Sequence, residues 1–401
     1  MGNRRPAAPQ ASSLEQLALR EGEVLVAPLL TSRGSAIFVV TGSKQISAED
    51  VVPLDGVTDG NLRDLLQGTN ERPGWLKVYA RWLHASEFLD RAICADESGK
   101  RNGVLRAAQD EYLAATQEWD QTIDYTCSQL WDLLAGPIHA RLTGRVPKDA
   151  RVVVLPSKWL SLLPLHAAWH KTKDGRRYFL DDYTISYVPS CFVLATARQR
   201  IFERAGRPLK LLAVVNPTGD LDYAAAEAQK IATSFSPESR RMLPGPEATS
   251  ANACGAAANC THLHFAGHAA FNWGDPPSSG VVLARGIPFT IRDIAANLSL
   301  DCVRLVTLSA CETGITEFEQ APNEFTGLPA ALIQVGAPGV ISSLWAVDDD
   351  ATATLMGRFY YWHITKGAEP AEALRQAQIE VKRQAETDRP FFWAAFTAVG
   401  A

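Results

Sequence analysis

Short, wholly apolar runs that alternate with helical stretches constrain this chain more than any other feature. RVVVLPS at 151–157, LKLLAVVNP at 209–217, THLHFAGHA at 261–269, RLVTLSACETG at 304–314 and PGVISSLWAV at 338–347 each read as a short strand buried on both faces. Among them, AAAEAQKIATSF at 224–235, TGLPAALIQVG at 326–336, ATATLMGRFYYWHITKG at 351–367 and EPAEALRQAQIEVKRQAET at 369–387 carry helical patterns. The last places Glu369 and Glu372 in its first turn and Lys382 and Arg383 near its end, as the helix dipole favours. Strands alternating with helices predict an α/β fold: a mostly parallel sheet flanked by helices, with any active site at the carboxyl ends of its strands.

The first part of the chain has a different pattern. EVLVAPLL at 23–30 and SAIFVVT at 35–41, separated by TSRG, read as an antiparallel hairpin. Residues 76–92 and 108–144 carry apolar residues at three- and four-residue spacing, with no interior proline before Pro137. The expected division is a flexible arm over 1–20 with a short helix in SSLEQLALR, a hairpin and helical part over 21–148, and the α/β domain over 149–401. No internal repeat is visible.

Composition removes several classes of function. Of 401 residues, 46% are hydrophobic and 21% charged, which is globular and not disordered. The 39 Lys and Arg against 44 Asp and Glu give a net charge of −5, which argues against a phosphate-neutralising nucleic-acid binder. No apolar run reaches the roughly 18 residues that a bilayer span needs. The opening MGNRRPAAPQASS lacks an apolar leader core, and Pro6 breaks the myristoylation pattern. The expectation is a cytoplasmic protein without membrane attachment. Cys94, Cys127, Cys191, Cys254, Cys260, Cys302 and Cys311 are an odd number, sparse, and without a CxxC pair, as expected of reduced thiols.

Two strand ends carry residues capable of chemistry. One delivers His268 in HFAGHA and the other Cys311 in LSACETG. The stretch between them has room for a strand or helix that would set the two ends side by side. A lone cysteine or histidine at a strand end is usually packing. The two together, in one α/β layer, make the minimum kit for acyl transfer. A thiol at a strand-to-loop turn gains thiolate character, an imidazole moves the proton, and the N–H groups of Cys311 and Ala269 meet the oxyanion.

Other clusters carry less. Cys254, Cys260, His262, His264 and His268 follow C-x5-C-x-H-x-H, which is not a zinc-ligand spacing, so no metal is expected. Period two puts His262 and His264 on one strand face as satisfied core histidines. NPTGD at 216–220 lacks the Gly-Lys-Ser/Thr of a phosphate loop, which disfavours a nucleotide-binding reading. The ten tryptophans read as core or interface anchors, and part of FYYWH at 359–363 packs on the sheet.

The second half resembles the CHAT domain, of the caspase-like clan of cysteine peptidases that includes separase, legumain and the caspases. The matching stretches are VVVLPSKWLSLLPLHAAW at 152–169, YTISYVPS at 183–190, LHFAGHA at 263–269, LSACETG at 308–314, PAALIQVGAPGVISSLWAVDDDAT at 329–352 and FFWAAFTAVG at 391–400. The hairpin at 23–41 resembles the strand pair that often opens the domain. The resemblance implies a caspase-like sheet, with Cys311 as nucleophile and His268 as the histidine that protonates the leaving amine. Ala269 stands where the clan usually has glycine and keeps the N–H that, with that of Cys311, forms the oxyanion hole. Asp349 matches the residue that lines the pocket for a basic side chain in separase-like relatives, with Asp348 and Glu312 as further contributors. On the residues alone, the Asp-rich turn reads equally well as a helix cap, with Asp350 placed to cap a helix at 351.

The expected function is therefore a cysteine endopeptidase with a Cys-His dyad and a protein substrate, without a cofactor. The resemblance further implies an activating or regulatory partner protein and, by analogy with bacterial relatives, antiphage defence through cleavage of a gasdermin-like pore former or another effector. KTKDGRR at 171–177 and RAGRPLK at 204–210 are candidate self-cleavage loops under basic specificity. The alternative reading is a catalytically silent CHAT scaffold that binds partner proteins.

Overall fold

The computed structural model describes residues 19–41, 47–95, 102–270, 272, 274–310, 313 and 327–401. The expected short helix in SSLEQLALR lies outside these residues. Eleven strands form the main sheet: β1 (Val24–Thr31), β2 (Gly34–Val40), β3 (Val51–Leu54), β4 (Arg151–Val154), β5 (Thr184–Tyr187), β6 (Leu211–Val215), β7 (Arg240–Pro244), β8 (His262–Ala266), β9 (Leu305–Ser309), β10 (Gly339–Ser343) and β11 (Phe396–Gly400). Their order across the sheet is β3-β2-β1-β4-β5-β11-β10-β9-β8-β6-β7.

The strand directions divide the sheet into two parallel blocks. Strands β10, β9, β8, β6 and β7 run one way. Strands β11, β5, β4 and β1 are parallel to one another. The blocks meet at an antiparallel seam, where β10 pairs with β11 from Gly339–Gly400 to Ser343–Phe396. The expected hairpin, β1 with β2, is extended by β3 to form one edge. At the seam Gly400 has φ of 104°, and a β-carbon there would stand 2.3 Å from the Pro338 carbonyl oxygen. Only glycine tolerates both the conformation and that approach.

The strands of 209–217, 261–269, 304–314 and 338–347 form as the apolar runs predict, fully buried along their lengths. The helix predicted over 224–235 begins earlier, as α4 below. Two strands of the main sheet were not read from the sequence: β3 has four residues and includes Pro53, β7 opens on Arg240 and Arg241, and both are partly exposed. KTKDGRR, expected as a loop, is instead most of a β-hairpin, Trp169–Thr172 with Gly175–Tyr178. Arg176 forks onto Asp124 at 2.6 and 3.1 Å, and Arg177 pairs with Asp182. In the second candidate loop, Arg204 donates to the carbonyls of Val303 and Gly336. Both self-cleavage candidates therefore hold arginines that are already engaged in structure.

The helical layer consists of α1 (Trp75–Ala95) and α2 (Asn102–Leu130), the latter continuing through Trp131–Ala135 and Gly136–Leu142. Pro137 opens the last of these segments, where a missing N–H costs little. The tryptophans of this layer are anchors, as expected. Trp75 and Trp119 meet Trp345 edge-on, with ring centroids 5.5 and 6.2 Å away, and Ala346 N–H donates to the Tyr79 hydroxyl at 3.0 Å. The helical layer thus grips the segment that leaves β10. Helix α3 (Cys191–Glu203) packs Leu194 and Ala197 with Leu25 and Val153 of the second block and Val40 of β2. Helix α4 (Asp222–Ala232) lies against β6 and β8 of the five-stranded block and packs on α5 (Asp349–Tyr360), which in turn packs on α6 (Pro370–Lys382).

Candidate active site

The five-stranded parallel block ends in a cleft, and its strand ends determine what faces it. Strands β8 and β9 are neighbours, paired from His262–Leu305 to Ala266–Ser309. His268 stands two residues past that last rung. Cys311 follows Ser309 by two residues in sequence; Cys311 and Glu312 lie outside the described residues. Gly267 continues the contact by donating its N–H to the Ser309 carbonyl at 3.2 Å. A side chain at 267 would meet Pro217 Cδ at 2.9 Å, so glycine allows the β6 loop to close on the histidine turn.

That loop is NPTGD, and its function lies in how it is folded. Asn216 adopts φ of 42°, a left-handed conformation that asparagine tolerates. Its side-chain oxygen accepts from the N–H groups of Gly219 and Leu221, and its amide donates to the Leu221 carbonyl. The turn so fixed sets Asp220 Oδ1 3.1 Å from His268 Nε2. Burial pushes the Asp220 carboxyl up, but the Thr218 hydroxyl and His268 together outweigh it and hold the carboxyl below its ordinary value. With Nε2 turned to Asp220, Nδ1 is the ring nitrogen left for a reacting group. The sequence reading passed over Asp220 because its link to His268 spans two strands and has no local motif.

The turn after β9 is tied down on both sides of the undescribed pair. Ser343 Oγ donates to the Ala310 carbonyl at 2.7 Å, and Ser343 N–H donates to Thr313 Oγ1 at 3.1 Å. All three residues are buried. The end of β10 thereby fixes Ala310 and Thr313, which flank Cys311 and Glu312 in sequence. Neither Thr313 nor Ser343 was singled out from the sequence.

Ala269 pairs with Val281 in a small antiparallel sheet formed by Ala269–Ala270, Gly280–Val282 and Pro288–Thr290. It does not occupy the positive-φ region, so the methyl group that distinguishes it from glycine brings no backbone strain. Val282 N–H donates to the His268 carbonyl at 2.8 Å and pins the turn from the far side.

Between the strand ends and the first turns of α4 and α5 lies a cavity of about 80 Å³. Gly267, His268, Ser309, Ala310 and Ser343 form its rim. Leu221, Trp345, Val347 and Phe396 form apolar walls, and Glu227 and Asp349 bring carboxylates. Burial pushes the Asp349 carboxyl up, and Asp348 and Glu227 push it further, while His268 pulls it down. Asp348 is the N-cap of α5 and accepts from the N–H groups of Asp350 and Ala351 at 3.1 and 3.0 Å. The helix therefore begins two residues earlier than the Asp350 cap anticipated. Asp348 is not among the residues that line the cavity, whereas Asp349 is.

His262 and His264 share one buried face, as period two predicted. His262 Nε2 is 3.1 Å from His363 Nε2, and His264 Nδ1 is 3.3 Å from the Tyr360 hydroxyl. Among the described residues no group of three or more His, Cys, Asp or Glu is arranged to hold a metal ion. Among the same residues no helix is long and apolar enough to cross a membrane.

Residues 124–401 match the CHAT domain family model. No curated protein matches the chain in sequence. Among solved structures the chain is similar to separase of Saccharomyces cerevisiae in its complex with securin, with a TM-score of 0.56 and 10% identity over 94% of this chain and 30% of that one. The chain thus spans about a third of that relative's length. It is also similar to the Arg-specific cysteine proteinase gingipain R, with a TM-score of 0.45 and 11% identity over 70% of this chain and 67% of that one. The separase likeness gives the fold, that of the caspase-like cysteine peptidases.

Proposed function

The chain belongs to the CHAT domain family, and from that premise we propose that it is a cysteine endopeptidase whose nucleophile is Cys311. The observation that carries this reading is the ladder between β8 and β9. It sets His268, held by Asp220, beside the strand that leads into Cys311, at the rim of a cavity with carboxylates at its base.

The thiolate of Cys311 adds to the peptide carbonyl, and the N–H groups of Cys311 and Ala269 receive the oxyanion. The C–N bond then breaks, and His268 gives its proton to the departing amine. Water attacks the thioester, one of its protons returns to His268, and the acid leaves. Asp349 supports selection of a basic side chain before the scissile bond. The Saccharomyces cerevisiae separase was solved with securin. By analogy, this chain is under the control of a partner protein and acts on a protein substrate, with bacterial antiphage defence as its setting.

The test compares wild type with Cys311→Ala on a peptide library varied at the residue before the scissile bond, read by mass spectrometry. Cleavage by wild type alone is expected. Equal product from both proteins would sink the assignment of Cys311, and cleavage by neither would favour the silent scaffold.

Asp220 acts as a positioning residue. Asp220→Asn is expected to lower kcat by about one to two orders of magnitude. The loss should fall on kcat with KM changed less than about threefold, and Asp220→Glu, which keeps the carboxylate, should recover part of it. A loss confined to KM, or no recovery in Asp220→Glu, would reduce Asp220 to a loop residue.

A further inference from the structure

We infer that Glu227 is a second specificity-determining carboxylate, placed at the floor of the cavity beneath Asp349, and that the pair selects arginine over lysine. This takes the peptidase cleft proposed above as given. Glu227 lies on α4 and is 4% exposed, yet it lines the cavity. Its Oε1 has no hydrogen-bond partner. The nearest donor is His264 Nε2, 3.0 Å away but out of line for a hydrogen bond. A buried carboxylate short of hydrogen bonds is costly unless something completes the site; Oε1 faces His264, while the residue as a whole lines the cavity.

Behind it lies a buried chain. His264 Nδ1 lies 3.3 Å from the Tyr360 hydroxyl, which donates to Thr307 Oγ1 at 3.1 Å. His264, Tyr360 and Thr307 are all fully buried. This chain, between β8, β9 and α5, holds the imidazole that stands 3.0 Å from Glu227 Oε1. No Lys or Arg is among the described residues that line the space, and His268 at the rim is its only basic side chain among them. Glu227 and Asp349 thus share the cavity with no Lys or Arg among its described lining, and Glu227 is one cause of the raised Asp349 carboxyl.

The chemistry that completes such a site is a cation with an apolar stem. Leu221, Trp345, Val347 and Phe396 offer walls for methylenes. Two carboxylates, one on each helix, suit a planar fork with five N–H donors, which can engage both at once. An ammonium is a compact point charge and centres on one.

The probes are eight-residue peptides that differ only at one central position: Arg, Lys or norleucine. Calorimetric binding to the Cys311→Ala protein reads the pocket without chemistry, and cleavage by the wild type reads the reaction. The Arg peptide is expected to bind about tenfold more tightly than the Lys peptide. Adding Glu227→Gln should remove that tenfold preference while the Lys peptide changes less than about threefold. Glu227→Asp, which keeps the charge, should restore part of it and separates loss of charge from loss of folding. An Arg-to-Lys ratio untouched by Glu227→Gln overturns the inference, as does an Arg peptide that binds no better than norleucine. If no peptide is cleaved but the ranking and its loss are seen, the peptidase reading fails and the role of Glu227 stands.

Discussion

Trp345→Ala is expected to destabilise the protein by about 3–5 kcal/mol and to abolish substrate selection in the same step. The indole is fully buried, donates its N–H to the Phe391 carbonyl at 3.1 Å, and contacts Trp75 and Trp119 edge-on. Truncation opens a cavity that the two neighbouring indoles cannot fill and leaves the Phe391 carbonyl without its donor. Trp345 also walls the acidic cavity, so the same change loosens Val347 and Asp349 beyond it. Guanidinium unfolding measures the first effect, and the Arg-to-norleucine binding ratio measures the second. Trp75→Ala is the informative companion. It lies in the helical layer and does not line the cavity, yet it should weaken the same binding ratio through Trp345. Full binding in Trp75→Ala would show that the helical layer does not support the pocket.

The second large effect is a loss of stability in mild acid. Burial pushes His166 and His363 each down to about 4 from an ordinary 6.5. It also carries His262 well below that value. The hydrogen bonds give the reason. His166 Nε2 donates to the Ala394 carbonyl at 3.0 Å, so Nδ1, 3.0 Å from the Tyr187 hydroxyl, is the acceptor. His363 Nδ1 donates to the Ala368 carbonyl at 2.7 Å, which leaves its Nε2 to accept from His262. Each ring is satisfied only when neutral.

A histidine whose folded pKa is depressed binds its proton first in the unfolded chain. Stability therefore falls as pH drops below 6.5 and stops falling near 4, where the folded rings also protonate. Each of the two loses about 2 kcal/mol by pH 5 and about 3 kcal/mol by pH 4. The raised carboxyls of Asp124 and Asp349 act in the opposite direction, since the folded state takes up their protons first as pH falls. Denaturant midpoints at pH 7 and pH 5 decide the matter. Equal midpoints would mean that these rings are not held neutral.

How much of this was readable from residues follows from where the information lies. Strands β6, β8, β9 and β10 were legible because burial on both faces leaves short, largely apolar runs without charged residues. His268 was legible because it follows such a run, and Asp349 because the turn that carries it resembles a family motif. Asp220, Glu227, Thr313 and Ser343 were not. Each acts on a partner delivered by another strand or helix: Asp220 on His268, Glu227 beside His264, Ser343 on Ala310. Asp220 and Glu227 sit in ordinary loop and helix sequence, and Thr313 and Ser343, though inside motif stretches, are small polar residues whose pairing across strands no local pattern shows. NPTGD lacks the phosphate-loop motif, and that gave no hint that Asn216 folds the turn that carries Asp220. The antiparallel seam was equally silent, since FFWAAFTAVG carries no sign of the direction in which it joins the sheet.

That seam also orders the molecule in time. Strand β11 holds the two blocks together and contributes Phe396 to the cavity wall, yet residues 396–400 leave the ribosome after every other strand. A chain still under synthesis can have its hairpin, its helical layer and all five strands of the other block in hand. It still lacks both the join between the halves and one side of the cleft. A chain that stops short of Phe396 therefore lacks the join and one wall of the cleft together, so the pocket forms only when the two blocks are tied.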